Sequence, residues 1–121
     1  MIINGEKCAL RNWRKEDKTD LLTFANNKKI YDNLRDMFPY PYTEKDADHW
    51  LNIAISQPKT FFVIEVKGRF AGSIGIEFKN DIYRKNAEIG YWLAEPFWNK
   101  GIITESIGLI TSYVFKNFEI I

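Results

Sequence analysis

The sequence predicts a single α+β domain in which a largely antiparallel sheet is flanked by helices. Within residues 60–93, apolar and polar side chains alternate with a period of two in segments separated by short turns, which is typical of strands. Before and after this region, apolar residues recur at helical spacing, within 43–56 and 101–118. The order of these elements favours an antiparallel sheet with helices packed beside it.

The N-terminal third predicts one strand and two helices. Residues 8–11 are short and extended in character and form the first strand. Asp17 and Asp20 have the spacing of a capping box, which predicts that a helix begins there. A second short helix is predicted over residues 29–34. Two prolines within residues 37–42 then predict a stiff loop, because each restricts the residue before it to extended geometry.

A longer amphipathic helix is predicted next. Thr43 and Asp46 form a second capping-box pattern. The apolar residues that follow share one helical face: Ala47, Trp50, Leu51, Ala54 and Ile55. Pro58 indicates that this helix has ended before it.

Three strands are predicted after this helix. Residues 60–66 form the first, and the pair Lys67 and Gly68 forms a tight hairpin because glycine supplies the positive φ that such turns need. The return strand covers residues 69–78, and the third strand covers residues 87–93. Two glycines in the return strand indicate a bulge or a close approach of other atoms: Gly72 and Gly75.

A last helix is predicted from about Gly101. Its apolar residues at helical spacing are Ile103, Ile107, Ile110, Val114 and Phe118. Residues 118–121 then predict the stub of a further strand. Without the short helix at 29–34, the predicted order is β-α-α-β-β-β-α with that stub at the end.

Composition excludes several classes of function. Seventeen basic and sixteen acidic residues give a net charge of +1, so the chain lacks the electrostatic footprint of a nucleic-acid-binding protein. No apolar run reaches the ~20 residues that a membrane helix needs. Cys8 is the only cysteine, which excludes an internal disulfide and a thiolate zinc site and favours a reducing cytoplasm. We expect no metal, no nucleic acid and no membrane as partners.

The stretch of residues 86–106 predicts the functional site. It leaves a strand and enters a helix through Asn99, Lys100 and Gly101. The first N–H groups of a helix have no internal partner, and the helix dipole is positive there, so this turn suits a phosphate group. The alternative is an ordinary strand-to-helix loop without a ligand.

Residues 95–106 resemble motif A of the GNAT acetyltransferases, whose pattern is Gln/Arg-x-x-Gly-x-Gly/Ala. The matching positions here are Trp98, Asn99, Lys100, Gly101, Ile102 and Ile103. Trp98 replaces the usual Gln or Arg and either touches the ligand or packs beneath the turn. Ile103 replaces a small residue and either crowds a pyrophosphate or points into the core.

Two further segments are similar to the ribosomal-protein N-terminal acetyltransferase branch of that family. Residues 38–43, followed by Asp46, Ala47 and Trp50, resemble its acceptor-side loop and second helix. Residues 88–93 resemble its fourth strand. The resemblance covers about residues 7–118, with the motifs in the right order.

The resemblance implies transfer of an acetyl group from acetyl-CoA to a primary amine of a protein or peptide N-terminus, or of a small molecule. It implies pyrophosphate binding by the N–H groups of residues 100–104, where Thr104 adds a hydroxyl, and pairing of the pantetheine arm with Trp92 and Leu93. The implied cofactor-binding residues are therefore Trp92, Leu93, Trp98, Asn99, Lys100, Gly101, Ile102, Ile103 and Thr104.

The attacking amine must lose a proton to a base. Glu88 is the candidate base, and it lies on the strand predicted over residues 87–93. The alternative for Glu88 is a solvated or salt-bridged carboxylate. Three aromatic residues either form the wall of an acceptor pocket or plug the core: Phe38, Tyr40 and Tyr42. His49 is expected to be a solvated surface residue.

Members of the family usually continue with a fifth strand, a fourth helix and two more strands, whereas this sequence stops at Ile121. The expectation is thus a single, incomplete acetyltransferase domain over residues 1–121. A homodimer or a strand-swapped assembly would complete its sheet. The alternative is a truncated, non-catalytic module that binds CoA or supports an assembly.

Overall fold

Five antiparallel strands in the order β1-β2-β3-β4-β5 form the central sheet of the computed structural model. The structure describes residues 2–34, 40–80 and 85–117. The strands are β1 Ile2–Asn4, β2 Ala9–Asn12, β3 Phe61–Val66, β4 Arg69–Asn80 and β5 Lys85–Leu93. The helices are α1 Lys18–Ala25, α2 Lys28–Leu34, α3 Glu44–Ile55 and α4 Ile102–Asn117, with 3-10 turns at Lys15–Asp17 and Glu95–Phe97.

The predicted fold class is confirmed, with one strand and one helix more than the predicted order contains. The observed order within the described residues is β-β-α-α-α-β-β-β-α. The additional strand β1 has three residues and pairs with β2, so it is too short to show an alternation of apolar and polar residues. The predicted strand stub at 118–121 lies outside the described residues.

The hairpin between β3 and β4 forms as predicted. Lys67 has a φ of 51° and Gly68 a φ of 77°, so both central residues of the turn are left-handed. The pairing of β3 with β4 shifts between Ile64, which pairs with Gly72, and Glu65, which pairs with Phe70. This shift is a bulge in β4 next to Gly72. A Cβ atom on Gly72 would overlap with the carbonyl oxygen of Trp92, so the predicted close approach is also present.

Helices cover the two faces of the sheet. On one face α4 packs against β3, where the rings of Tyr113 and Phe62 meet edge to face at 5.4 Å. On the other face α3 packs against β3, where the rings of Trp50 and Phe61 are 5.1 Å apart. Because side chains alternate along a strand, the pairing register extends these two faces across β4 and β5.

The two predicted capping boxes have different outcomes. Thr43 caps α3 as predicted: its hydroxyl accepts from the N–H of Asp46, and the Asp46 carboxylate accepts from the N–H of Thr43. The box at Asp17 was wrong. The Asp17 carboxylate accepts from the N–H of Arg14 at 2.8 Å and from both terminal nitrogens of Arg11 at 3.0 and 2.7 Å. Its oxygens are therefore occupied by the ion pair with Arg11 of β2 and by the turn before α1.

The predicted apolar stripe of α4 is confirmed in part: Ile110 and Val114 are buried, Ile103 and Ile107 pack partly buried against the core, and Phe118 lies outside the described residues. The buried residues of α4 are Ile102, Ser106, Ile110, Tyr113 and Val114. Ser106 is fully buried because its hydroxyl donates to the carbonyl of Ile102 at 2.8 Å. The hydroxyl of Tyr113 donates to a backbone carbonyl at 2.9 Å. These satisfied polar groups allow residues that look polar in sequence to occupy the buried face.

Candidate active site

The turn between β5 and α4 is held by a tryptophan and by two left-handed residues. The indole N–H of Trp98 donates to the carbonyl of Leu93 at 2.7 Å, which fastens the turn to the end of β5. Asn99 has a φ of 61° and Gly101 a φ of 76°. Asparagine tolerates this region and glycine has no Cβ to clash, so the chain can reverse here and begin α4 at Ile102.

This turn presents a row of backbone donors. For residues 99–104, no protein atom in the described part of the chain accepts a hydrogen bond from the backbone N–H groups. These groups lie where the α4 dipole is positive and where left-handed residues form a concave backbone. The geometry therefore suits a phosphate or pyrophosphate group, as the sequence predicted.

The end of β5 presents backbone groups beside the same turn. The N–H of Ala94 donates to the carbonyl of Ala71 at 2.7 Å. Because hydrogen-bonded pairs alternate along an antiparallel ladder, the backbone groups of Trp92 face Ser73, whereas those of Leu93 point away from β4. Within the described sheet β5 is an edge strand, so Leu93 is the predicted pantetheine-pairing residue whose backbone faces the open edge.

The side chains of the predicted turn residues divide into two groups. Trp98 and Ile103 are partly buried and pack against the core, which for Ile103 is the second of the two sequence alternatives. Ile102 is buried. Lys100 and Thr104 are exposed and accessible to a ligand at the turn.

Glu88 is exposed on β5, on the sheet face that α1 and α3 cover. It lies four residues before Trp92, which is about 13 Å along the strand. In the β4–β5 ladder it pairs directly with Glu77, whose side chain is also exposed. Sequence reasoning missed Glu77 because the register between the two strands was unknown.

The acceptor-side aromatic residues lie in two environments. Tyr42 is 7% exposed and belongs to the core, and its N–H donates to the side-chain carbonyl of Asn26 at 3.0 Å. Burial raises the pKa of Tyr42 to about 12, and the charge of Asp46 acts in the same direction. Tyr40 is 46% exposed and packs against Tyr31, with ring centroids 5.6 Å apart. Phe38 lies outside the described residues.

Glu95 links the junction between α1 and α2 to the segment between β5 and α4. One of its carboxylate oxygens accepts from the side-chain amide of Asn27 and the other from the ammonium of Lys29, both at 2.9 Å. The hydrogen bond from Asn27, followed by that from Lys29, lowers the pKa of Glu95. The junction between α1 and α2 is thereby tied to the 3-10 turn that follows β5.

Glu105, in the first turn of α4, binds the loop between β1 and β2. Its carboxylate accepts from the N–H groups of Glu6, Lys7 and Cys8 at 3.0, 2.7 and 2.9 Å. This contact brings Lys7 to the turn between β5 and α4. Its ammonium nitrogen would lie 2.6 Å from a Cβ atom placed on Gly101. Sequence reasoning missed Lys7, because no local pattern relates residues separated by 94 positions.

Replacing Glu105 with glutamine should lower the free energy of unfolding by roughly 1–2 kcal/mol at pH 7, because a charged acceptor of three N–H groups is lost. Burial raises the pKa of Glu105, but the N–H of Lys7 and the other donors outweigh it, so the pKa lies below its usual value. The wild-type advantage should thus be complete above the unfolded-state pKa and should be lost as pH falls through the folded-state pKa. Urea unfolding of both proteins from pH 7 to pH 3 tests this; a difference that grows on acidification would contradict it.

The described residues contain neither a candidate metal centre nor a helix that could span a membrane. No group of three or more His, Cys, Asp and Glu side chains in residues 2–34, 40–80 and 85–117 could hold a metal ion. No helix in the same residues is long and apolar enough to cross a bilayer. His49 is exposed on α3, as expected. Cys8 is buried, and its burial raises the pKa of its thiol to about 11.

The antiparallel sheet, the left-handed turn and the donors at the start of α4 define an α+β domain with a strand-turn-helix unit whose free N–H groups suit an anion. Residues 7–120 match the family described as "Acetyltransferase (GNAT) domain". The chain therefore belongs to the GNAT acetyltransferase family.

Several known proteins are similar to this chain. YdaF of Bacillus subtilis (strain 168), a candidate ribosomal N-acetyltransferase by name, is 40% identical over 53 residues, which is 44% of this chain and 28% of that protein. A Salmonella typhimurium acetyltransferase that modifies the N-terminal serine of ribosomal protein L7/L12 superposes with a TM-score of 0.78 at 20% identity, covering 99% of this chain and 71% of that one.

A ribosomal L7/L12 alpha-N-protein acetyltransferase solved in complex with coenzyme A superposes with a TM-score of 0.76 at 22% identity. That match covers 94% of this chain and 67% of the other. The structural likenesses establish the fold. The sequence match to YdaF spans less than a third of that protein.

Proposed function

We propose that this chain transfers an acetyl group from acetyl-CoA to a primary amine, with the N-terminus of a protein or peptide as acceptor. The observation that carries the proposal is the row of N–H groups at residues 99–104 without a protein acceptor among the described residues. This row lies beside the open backbone edge at Leu93 in a member of the acetyltransferase family. Pyrophosphate and an amide-bearing arm are the chemical groups that these two surfaces bind best.

Each part of the site has a separate role in the proposal. The N–H groups of residues 100–104 bind the pyrophosphate, and the N–H of Leu93 stabilises the negative charge that develops on the acyl oxygen. Because Glu88 lies about 13 Å along β5 from Trp92, it accepts the proton of the attacking amine through a chain of water molecules. Acetyl-CoA supplies the acyl group as a thioester, which is activated toward attack by an amine.

A protein N-terminus is favoured as acceptor by the relatives, because three similar proteins are named for acetylation of ribosomal proteins or of their N-termini. A small-molecule amine is the competing acceptor. The proposal places the reaction in the cytoplasm, where a single cysteine that remains a thiol is usual.

Calorimetric titration with acetyl-CoA and a turnover assay test the proposal together. We expect binding by the 121-residue chain, and turnover with peptides that carry a free N-terminus but not with the same peptides when blocked. Turnover of small amines alone would reject the protein acceptor. Binding without any turnover would instead support a non-catalytic CoA-binding module, and absence of binding would reject both.

Two glycine substitutions, one in the turn before α4 and one inside α4, should have opposite effects. Gly101→Ala places a side chain at a φ of 76° and against the Lys7 ammonium, so we expect a loss of about 1–2 kcal/mol in stability and weaker acetyl-CoA binding. Gly108→Ala meets no atom within 4 Å inside α4, so it should stabilise by up to about 1 kcal/mol and leave binding unchanged. Thermal unfolding and titration of both variants check this, and equal effects on binding would contradict it.

A further inference from the structure

Asn27, at the junction between α1 and α2, uses its side chain and its backbone at once. The side-chain amide donates to the carboxylate of Glu95 at 2.9 Å, and the side-chain carbonyl accepts from the N–H of Lys29 at 2.9 Å. The backbone carbonyl of Asn27 accepts from the N–H groups of Ile30 and Tyr31 at 3.0 and 3.1 Å. Asn27 therefore fixes the start of α2 and connects it to the segment between β5 and α4.

The same junction holds residues 40–42 in place. The side-chain carbonyl of Asn26 accepts from the N–H of Tyr42 at 3.0 Å. On α2, the ring of Tyr31 packs against the ring of Tyr40, with centroids 5.6 Å apart. Tyr40 remains 46% exposed, so its ring is accessible to a substrate although its position is set by α2. A shift of the junction would therefore move this aromatic surface.

The backbone of Glu95 is fixed to the end of β5. Its carbonyl accepts from the N–H of Trp98 at 3.1 Å, and the indole of Trp98 donates to the carbonyl of Leu93 at 2.7 Å. Glu95 follows Leu93 by two residues, which span at most about 7 Å. Leu93 is the residue at which the proposed function holds the thioester. The carboxylate of Glu95 thus holds the α1–α2 junction close to the position of the acyl group.

We infer that Glu95 is a positioning residue for the acetyl acceptor: by binding Asn27 and Lys29 it holds α2 and the ring of Tyr40 where the acceptor amine reaches the thioester. The inference rests on the proposed function. An attacking atom must lie about 3–3.5 Å from the carbon it attacks, so a small displacement of the acceptor surface reduces the rate. Each oxygen of Glu95 already accepts a hydrogen bond from the protein, which suits a holding role.

Steady-state kinetics of Glu95→Ala with a peptide that carries a free N-terminus tests the inference. We expect kcat/KM for the peptide to fall about tenfold, because two hydrogen bonds to a charged carboxylate are lost. The titrated affinity for acetyl-CoA should stay within about twofold of wild type, whereas general damage to the turn would weaken it as well. Glu95→Gln keeps an acceptor for the Asn27 amide, so its loss should be smaller, about threefold.

Lys29→Met isolates one of the two contacts and should lower kcat/KM for the peptide about threefold. The double variant Glu95→Ala/Lys29→Met should be no worse than Glu95→Ala alone, because Lys29 acts through Glu95. Lys28→Met is the matched control. It removes the same charge one position away, from an ammonium that pairs with Asp32 within α2 at 3.2 Å, and should leave kcat/KM within about twofold of wild type.

Four results would overturn the inference while leaving the proposed function intact: unchanged kcat/KM in Glu95→Ala, a parallel loss of acetyl-CoA affinity, an equal loss in Lys28→Met, or additive losses in the double variant. Circular dichroism shows whether each variant is folded. If Glu95→Ala is unfolded, Glu95→Gln and its double variant with Lys29→Met decide by the same criteria. Absence of peptide turnover by the wild-type chain would reject the proposed transfer to a protein N-terminus, and the inference with it.

Discussion

Replacing Arg11 with methionine is expected to lower the free energy of unfolding by about 3–5 kcal/mol. Arg11 and Asp17 have side chains only 11% and 6% exposed, and their two nitrogen–oxygen contacts form a bidentate pair. Removing the guanidinium would leave the carboxylate of Asp17 buried without its main partner. The ε nitrogen of Arg11 also bonds Glu65 on β3, so the variant loses a second contact. Urea unfolding at pH 7 measures the change.

Lys18→Met is the control for this experiment. Lys18 forms two salt bridges, to Glu44 and Asp48 on α3, so it loses the same number of charge partners as Arg11. Both carboxylates are largely exposed, and ion pairs in solvent contribute little to stability because water and salt screen them. If the two variants lost similar stability, burial of the Arg11 network would not explain its contribution.

Glu88→Gln is expected to reduce kcat/KM for the acetyl acceptor by about 100- to 10,000-fold, the usual contribution of a general base. Glutamine keeps the shape of the side chain but cannot accept a proton from the amine. Because Glu88 lies about 13 Å along β5 from Trp92, the affinity for acetyl-CoA should not change. Steady-state kinetics with a peptide acceptor, together with titration of acetyl-CoA, measures both quantities.

Glu77→Gln is the matched control, since Glu77 pairs with Glu88 across the same ladder and on the same face. It removes an equal charge at a neighbouring position, and we expect a much smaller change in kcat/KM. Equal losses in both variants would show that the local negative charge matters more than a specific base. Full activity of Glu88→Gln would remove Glu88 from the proposed mechanism.

Local patterns in the sequence predicted the features that short-range physics controls. The hairpin at Lys67 and Gly68 and the cap at Thr43 formed as predicted, because a two-residue turn and a first helical turn depend on adjacent residues. The Gly101 turn was also located correctly, since its left-handed φ requires a residue such as glycine. The Gly101 turn and the first residues of α4 contain the N–H donors of the candidate cofactor site.

Features that depend on distant contacts could not be predicted in the same way. Asp17 resembled a helix cap, but the guanidinium of Arg11 binds it from β2. Ser106 was left out of the predicted buried face of α4 because serine is polar. It is fully buried in the structure, where its hydroxyl donates to the carbonyl of Ile102. Lys7 reaches Gly101 only because Glu105 binds the loop that carries it. Each of these contacts needs the sheet register before it can be seen.

The hydrogen bonds between Glu95 and the α1–α2 junction have a consequence for chimeras made by exchanging segments between relatives. A graft that replaces the acceptor-side segment would also replace Asn27 and Lys29, the two donors that bind Glu95. The carboxylate of Glu95 would then lack its two donors. The transplanted segment would no longer be held beside the turn between β5 and α4. Successful chimeras of this domain should therefore take residue 95 and residues 26–42 from the same relative.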